Sequence, residues 1–135
     1  MDVRKRILIV DDEENVLFTL RATLAKLDNG ADIMTAPSGR QALEKVREMS
    51  FDLVLTDLKM PDMDGVAMTE AIRALRAGIV VIWMTAYGCC AVQAEAERLG
   101  VYRCLDKPLE VTEIRRIVGK ALKNTDDSKS SQSSP

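Results

Sequence analysis

Apolar residues along the chain collect in five short runs, at positions 7–10, 32–36, 53–56, 79–84 and 102–105. Three of them, ILIV, LVL and IVVIWM, are almost continuously apolar. A strand with one face in water alternates apolar and polar positions, whereas a strand covered on both faces, as in a parallel sheet, does not. The runs therefore predict strands with the inner ones sandwiched. Between them the period becomes helical: Val16, Leu20, Leu24 and Leu27 recur at spacings of four, four and three, the stripe of an amphipathic helix. Ser38 and Gln41 make a capping box ahead of Leu43, Val46 and Met49. Asp64 is placed to cap a helix carrying Ala67, Ile72 and Leu75, and Val92, Ala96 and Leu99 lead to Gly100 as a helix stop. Ile114, Ile117, Val118, Ala121 and Leu122 mark the last helix. Strand followed by helix five times over predicts an α/β fold, a doubly wound (βα)5 sandwich with right-handed crossovers. After Lys123 the composition changes to NTDDSKSSQSSP, which is polar and Ser-rich. Residues 5–123 are read as one domain and 124–135 as a disordered tail or linker.

Composition narrows the chemistry. A chain of 135 residues supports one domain with a real core. Its 19 basic and 21 acidic residues are well mixed and leave a net charge of −2, with no basic stripe that asks for nucleic acid or an anionic membrane. No apolar run approaches the roughly 18 residues of a membrane span. MDVRKR is not followed by a long apolar segment, so no signal peptide is read. Cys89, Cys90 and Cys104 form no C-x-x-C, and histidine is absent, which argues against a zinc site and removes Ser-His or Cys-His catalysis. The thiols are read as free, in keeping with a reducing cytoplasmic setting, with Cys89 and Cys90 as small neutral residues. Any chemistry falls to carboxylates, hydroxyls or Lys107.

The stretch ILIVDDEE, residues 7–14, drives an apolar strand into four consecutive carboxylates. Acids favour a helix start, which accounts for Glu13 and Glu14. A carboxylate at the edge of a core, however, is costly unless something pairs it. In an open parallel sheet ligands bind beyond the carboxyl ends of the strands. There the first strand presents Asp11 and Asp12, the third Asp57, the fourth Thr85 and Ala86, and the fifth Asp106, Lys107 and Pro108. Clustered carboxylates form a hard-oxygen site suited to Mg²⁺, with Mn²⁺ as a substitute. A carboxylate beside such an ion can act as a nucleophile on phosphorus. Phosphoryl transfer is mostly positioning and charge neutralisation, which a cation, a lysine and backbone N–H groups supply. A competing pattern, DMDGV at 62–66, matches the D-x-D-x-[TV] of haloacid dehalogenase phosphatases, but KMP precedes its first Asp where that chemistry wants an apolar strand. Asp62 and Asp64 are read as turn and cap residues.

With DDE after the first strand, TDLKMPDMDG at 56–65, MTAYG at 84–88 and LDKP at 105–108, the chain resembles the receiver domain of two-component response regulators over roughly residues 5–123. The resemblance implies a flavodoxin-like sheet in the order 2-1-3-4-5 and phosphoryl transfer from a sensor histidine kinase to Asp57. It implies that Asp12 ligates Mg²⁺ directly, Asp11 through water, and that Asp57 and the Lys59 carbonyl complete the protein's ligands. Lys107, Thr85 and the Lys59 and Ala86 amides are implied partners of the phosphoryl oxygens, with Lys59 and Tyr87 bordering the group. A cis Lys107–Pro108 bond, a phosphorylation-dependent homodimer and a separate output are also implied. One position departs from the family pattern: Cys104 stands where an aromatic switch residue is usual, three positions before the lysine. Trp83 is expected beside it, its bulk filling the space that the small Cys104 leaves, and Tyr102 is expected on the same face as Cys104.

Overall fold

The computed structural model describes residues 4–27 and 30–132, with side chains described as far as Lys123. Five strands, β1 (Arg6–Val10), β2 (Asp32–Ala36), β3 (Leu53–Asp57), β4 (Val80–Thr85) and β5 (Arg103–Asp106), form one parallel sheet in the order β2-β1-β3-β4-β5. Helices α1 (Glu14–Leu24), α2 (Gly39–Glu48), α3 (Gly65–Leu75), α4 (Gln93–Arg98) and α5 (Val111–Gln132) connect and cover it, and a 3-10 turn, Cys89–Val92, precedes α4.

The sheet divides the core in two. On one side Leu8, Val10, Val54, Val81 and Trp83 pack under α2, α3 and Leu99. On the other Ile7, Ile9, Leu53, Leu55, Ile82 and Met84 pack under α1 and α5. Successive strand residues alternate between these layers, and because both layers are apolar and buried the strands read as continuous apolar runs.

Local signals act as expected at several helix ends. The Ser38 hydroxyl accepts the Gln41 amide at 3.2 Å, and Asp64 accepts the Ala67 amide at 2.8 Å. Gly100, at φ +67°, turns the chain out of α4. The buried stripes are displaced in two helices. In α1, Leu17, Leu20, Thr23 and Leu24 are buried while Val16 is half-buried, and in α3 Met68, Thr69 and Ile72 are buried while Ala67 and Leu75 are exposed. The displacement follows from the packing direction of each helix on the sheet, which the apolar period alone does not set. In α5 all five marker residues are buried.

The backbone of α5 continues helical to Gln132, into the segment expected as a disordered tail or linker. Extending an existing helix adds a hydrogen bond per residue without a new nucleation cost, so polar composition after Lys123 does not by itself end it. At the amino ends of the strands, Lys5, Lys26, Arg115, Arg116, Lys120 and Lys123 line a cleft between α1 and α5. The fold thus concentrates basic residues that are dispersed in sequence. No helix among the described residues is long and apolar enough to cross a membrane.

Candidate functional site

At the opposite edge, Asp11 follows β1, Asp57 closes β3, Thr85 closes β4 and Lys107 follows β5. Because β1, β3, β4 and β5 are consecutive in space, these positions converge although they are far apart in the chain. One carboxylate oxygen each from Asp11, Asp12 and Asp57 lies within 4.8 Å of the other two. Asp11 and Asp57 are buried and Asp12 is exposed, so the cluster opens to solvent on one side. Three hard oxygen donors at this spacing could hold a divalent cation and are unsuited to a soft one.

Lys107 supplies positive charge from within. Its Nζ lies 3.3 Å from Asp11 Oδ2 and 3.4 Å from Asp57 Oδ1. Burial pushes the Asp57 carboxyl above its ordinary range; Lys107 opposes that shift and Asp11 adds to it. Burial alone would lower the Lys107 ammonium, but Asp11 and Asp57 outweigh it and hold it raised, so the lysine stays charged.

Backbone groups fix the acids. The Glu13 amide donates to Asp11 Oδ1 at 2.9 Å, orienting that carboxylate where α1 begins. The Leu58 amide donates to Asp57 Oδ1 at 3.0 Å. The Thr85 hydroxyl is buried and accepts the Tyr87 amide at 3.0 Å, and the Lys107 amide donates to the Thr85 carbonyl at 2.8 Å. The Lys107–Pro108 bond is cis, as the resemblance implied.

The chain after Asp57 makes the other wall. Lys59 Nζ stands 5.0 Å from the centroid of the exposed Tyr87 ring, a cation–π contact bridging the segments that follow β3 and β4. Ala86 is exposed beside it. Asp62 points elsewhere: it accepts the Gly39 and Arg40 amides at 3.3 and 3.0 Å, at the start of α2. These bonds outweigh its slight burial and hold its carboxyl below the ordinary range. The DMDGV match is thereby accounted for as capping, since neither Asp62 nor Asp64 joins the acidic cluster.

The structure also reveals contacts that the sequence does not announce. Gly65 packs on the backbone after Asp57 so closely that an added Cβ would stand 2.5 Å from the Asp57 carbonyl oxygen and 2.9 Å from the Leu58 Cα. Trp83, fully buried, donates from Nε1 to Thr69 Oγ1 at 2.9 Å, and Thr69 donates to the Gly65 carbonyl at 2.7 Å. Asp106 Oδ1 accepts the Cys89 amide at 2.9 Å. Trp83 and Asp106 stand out in the sequence and Gly65 lies within TDLKMPDMDG, but nothing in one sequence marks these particular contacts.

Two expectations are corrected. Cys89 and Cys104 are joined in a disulfide with Cα atoms 5.8 Å apart, leaving Cys90 as the free, exposed thiol. The partners are 15 residues apart, brought together because the turn after β4 folds back over β5, so thiol count and spacing did not reveal the pair. Tyr102 precedes β5 and packs in the α1/α5 layer, whereas Cys104 packs in the layer of Trp83. Strand alternation does not extend through the bend at Tyr102. The expected neighbourhood of Trp83 and Cys104 does occur: the two are register partners in the β4–β5 pair.

The family model described as the response regulator receiver domain matches residues 7–119. The chain is a member of that family. Transcriptional regulatory protein ZraR of Escherichia coli K12 is 43% identical over 119 residues, covering 88% of this chain and 26% of the relative. Sporulation initiation phosphotransferase F of Bacillus subtilis is 37% identical over 120 residues, covering 89% of this chain and 95% of the relative. Among solved structures, a CheY-like receiver domain protein from Methanospirillum hungatei superposes with a TM-score of 0.86 at 27% identity, over 93% of this chain and 99% of that one. The receiver domain of a LuxO repressor protein from Vibrio parahaemolyticus matches at the same TM-score of 0.86 with 25% identity, over 94% and 96%. This receiver domain thus spans about a quarter of the length of regulators such as ZraR and nearly all of the sporulation protein. It belongs to the phospho-acceptor domains of two-component signalling, a family that works with histidine kinases, and its acidic pocket suits that role.

Proposed function

We propose that Asp57 is the phosphoryl acceptor of this receiver domain, phosphorylated from the phosphohistidine of a sensor kinase. The observation that carries the reading is the position of the Asp57 carboxylate, buried at the end of β3, clustered with Asp11 and Asp12 and 3.4 Å from the Lys107 ammonium. An Asp57 oxygen attacks phosphorus, the P–N bond to the donor imidazole breaks, and its electron pair returns to the ring. Asp12, Asp57 and the Lys59 carbonyl would hold Mg²⁺, or Mn²⁺ in its place, with Asp11 acting through water. That ion supplies charge neutralisation for the phosphoryl oxygens. Lys107 exchanges part of its interaction with Asp11 for a phosphoryl oxygen. The Thr85 hydroxyl leaves the Tyr87 amide for another, while the Lys59 and Ala86 amides complete the set of donors. Hydrolysis of the resulting acyl phosphate resets the domain. Lys59 and Tyr87, in contact above the pocket, govern water access and so its lifetime.

The domain proper is taken as residues 5–123, with 124–135 as tail or linker, working in the cytoplasm. A change around Thr85, Trp83 and Cys104 would alter the surface of α4, β5 and α5. That surface is read as the seat of a phosphorylation-dependent homodimer or an output contact. Incubation with acetyl phosphate and Mg²⁺ tests the central claim. Intact mass should rise by one phosphoryl group in the parent and not in Asp57→Asn; equal labelling of both, or of neither, would refute it. One sedimenting species, unchanged by labelling, would refute the dimer.

A further inference from the structure

Cys89 and Cys104 hold together two segments that each carry part of the pocket. Thr85 lies shortly before Cys89, and Lys107 shortly after Cys104. The two cysteine Cα atoms are 5.8 Å apart, within the range that a disulfide requires. Their placement rests on noncovalent structure as well. Trp83 pairs with Cys104 and Thr85 with Asp106 in the β4–β5 register, and the Cys89 amide is bonded to Asp106 Oδ1 at 2.9 Å. Both cysteines are half-buried, which leaves them open to a small reagent, whereas Cys90 points to solvent without a sulfur partner.

We propose that Cys89 and Cys104 form a reversible oxidative modification site that clamps the segment after β4 onto β5 and thereby restrains Thr85. The proposal extends the phosphoryl-acceptor reading, on which its effect on labelling rests. The oxidant is a low-molecular-weight disulfide. The Cys89 thiolate attacks one of its sulfurs, forming a mixed disulfide and expelling a thiolate, which takes up the Cys89 proton. The Cys104 thiolate then attacks the Cys89 sulfur, and the second small thiol leaves with the Cys104 proton. The protein loses two hydrogens and two electrons, and the small disulfide becomes two thiols.

The clamp acts on Thr85 through the chain. In the described arrangement the Thr85 hydroxyl is held by the Tyr87 amide, and Tyr87 is two residues from Cys89. Turning that hydroxyl toward Asp57 breaks this bond and moves the Ala86–Gly88 stretch. The Cys89–Asp106 hydrogen bond can yield to such a movement; a covalent bond at the same place restricts it. Oxidation therefore favours the resting arrangement and slows phosphoryl uptake. By reciprocity of coupled equilibria, a phosphorylated domain resists oxidation.

The test uses the full chain carrying Cys90→Ser, equilibrated with glutathione disulfide or with a reducing thiol. Peptide mapping under non-reducing conditions should link Cys89 to Cys104 and show the loss of two hydrogens. Amide exchange over residues 86–92 should slow in the oxidised form, and labelling by acetyl phosphate should be slower by roughly fivefold or more, the scale of allosteric couplings. Reduction should restore both, and Cys89→Ser should show neither response. Absence of the linkage, or equal exchange in the two forms, would overturn the clamp. Slowed exchange with equal labelling would overturn the control of phosphoryl uptake. Failure of both forms to label, with the linkage and the exchange difference present, would instead refute the acceptor reading and uphold the clamp.

Discussion

Asp57 shows what one residue costs before it does any chemistry. Its carboxyl is pushed up by burial and by Asp11, with Lys107 a partial remedy. An acid whose folded-state value is raised contributes most to stability when protonated, below its unfolded value, and loses that contribution as pH rises through the folded value. Asp57→Asn, which copies the protonated shape, should therefore raise the metal-free melting midpoint at pH 7. A rise of about 2–6 °C corresponds to roughly 1 kcal/mol in a domain this size. The gain should vanish below the ordinary carboxylate range. A midpoint equally raised at acid pH would show that charge is not the cause. Gly65 carries a different constraint. With Asp57 and Leu58 backbone where a Cβ would stand, Gly65→Ala forces α3 away and should cost about 1–3 kcal/mol, as overpacking does, measurable by urea unfolding. That Asp11, Asp12, Asp57, Thr85 and Lys107 come to one edge of the sheet was legible in the sequence, because each stands at the carboxyl end of a strand and an acid at the edge of a core asks for a partner. Gly65 was not, since a close approach of backbone leaves no chemical mark on the residue that permits it.

Among the elements, β4 and α3 are tied by polar contacts inside an otherwise apolar layer. A chain of hydrogen bonds, from the Trp83 indole to the Thr69 hydroxyl and from that hydroxyl to the Gly65 carbonyl, runs from the middle of β4 to the first turn of α3, over the backbone that follows Asp57. Trp83 should therefore report on the pocket, its fluorescence changing when Mg²⁺ and a phosphoryl group arrive. A flat signal under complete labelling would break that connection. Arg73 does comparable work at the far end of α3: its guanidinium donates to the carbonyls of Leu99, Gly100, Ala77 and Ile79. It joins the end of α4 to the loop before β4. Burial lowers the guanidinium below its ordinary value. Arg73→Ala leaves several carbonyls with one donor fewer and should destabilise by about 1–3 kcal/mol. Arg73→Lys should recover only part of this in urea unfolding, because a single ammonium cannot span the fork. Strand existence and order of elements were readable from period and apolar runs. The faces of α1 and α3, the exit of Tyr102 from the β5 alternation and the role of Arg73 were not, because each depends on which neighbour the element meets.

On the scale of the whole molecule, charge is sorted along the sheet axis. The carboxylate cluster sits at the carboxyl ends of the strands, and the basic α1/α5 cleft at their amino ends. A net charge of −2 concealed this polarity, since well-mixed sequence becomes patterned surface only after folding. The sheet order has a further consequence. Asp11 and its partner Lys107 are 96 residues apart, so the acid leaves the ribosome long before its counter-charge. At a synthesis rate of about 5–20 residues per second, that interval lasts roughly 5–20 seconds. During it a nascent chain ending before β5 presents clustered acids with no lysine to quiet them, and its fourth strand still has a bare edge. The pocket is thus completed only once the chain has passed β5, and a ribosome stalled short of Lys107 would display a sheet without a working site.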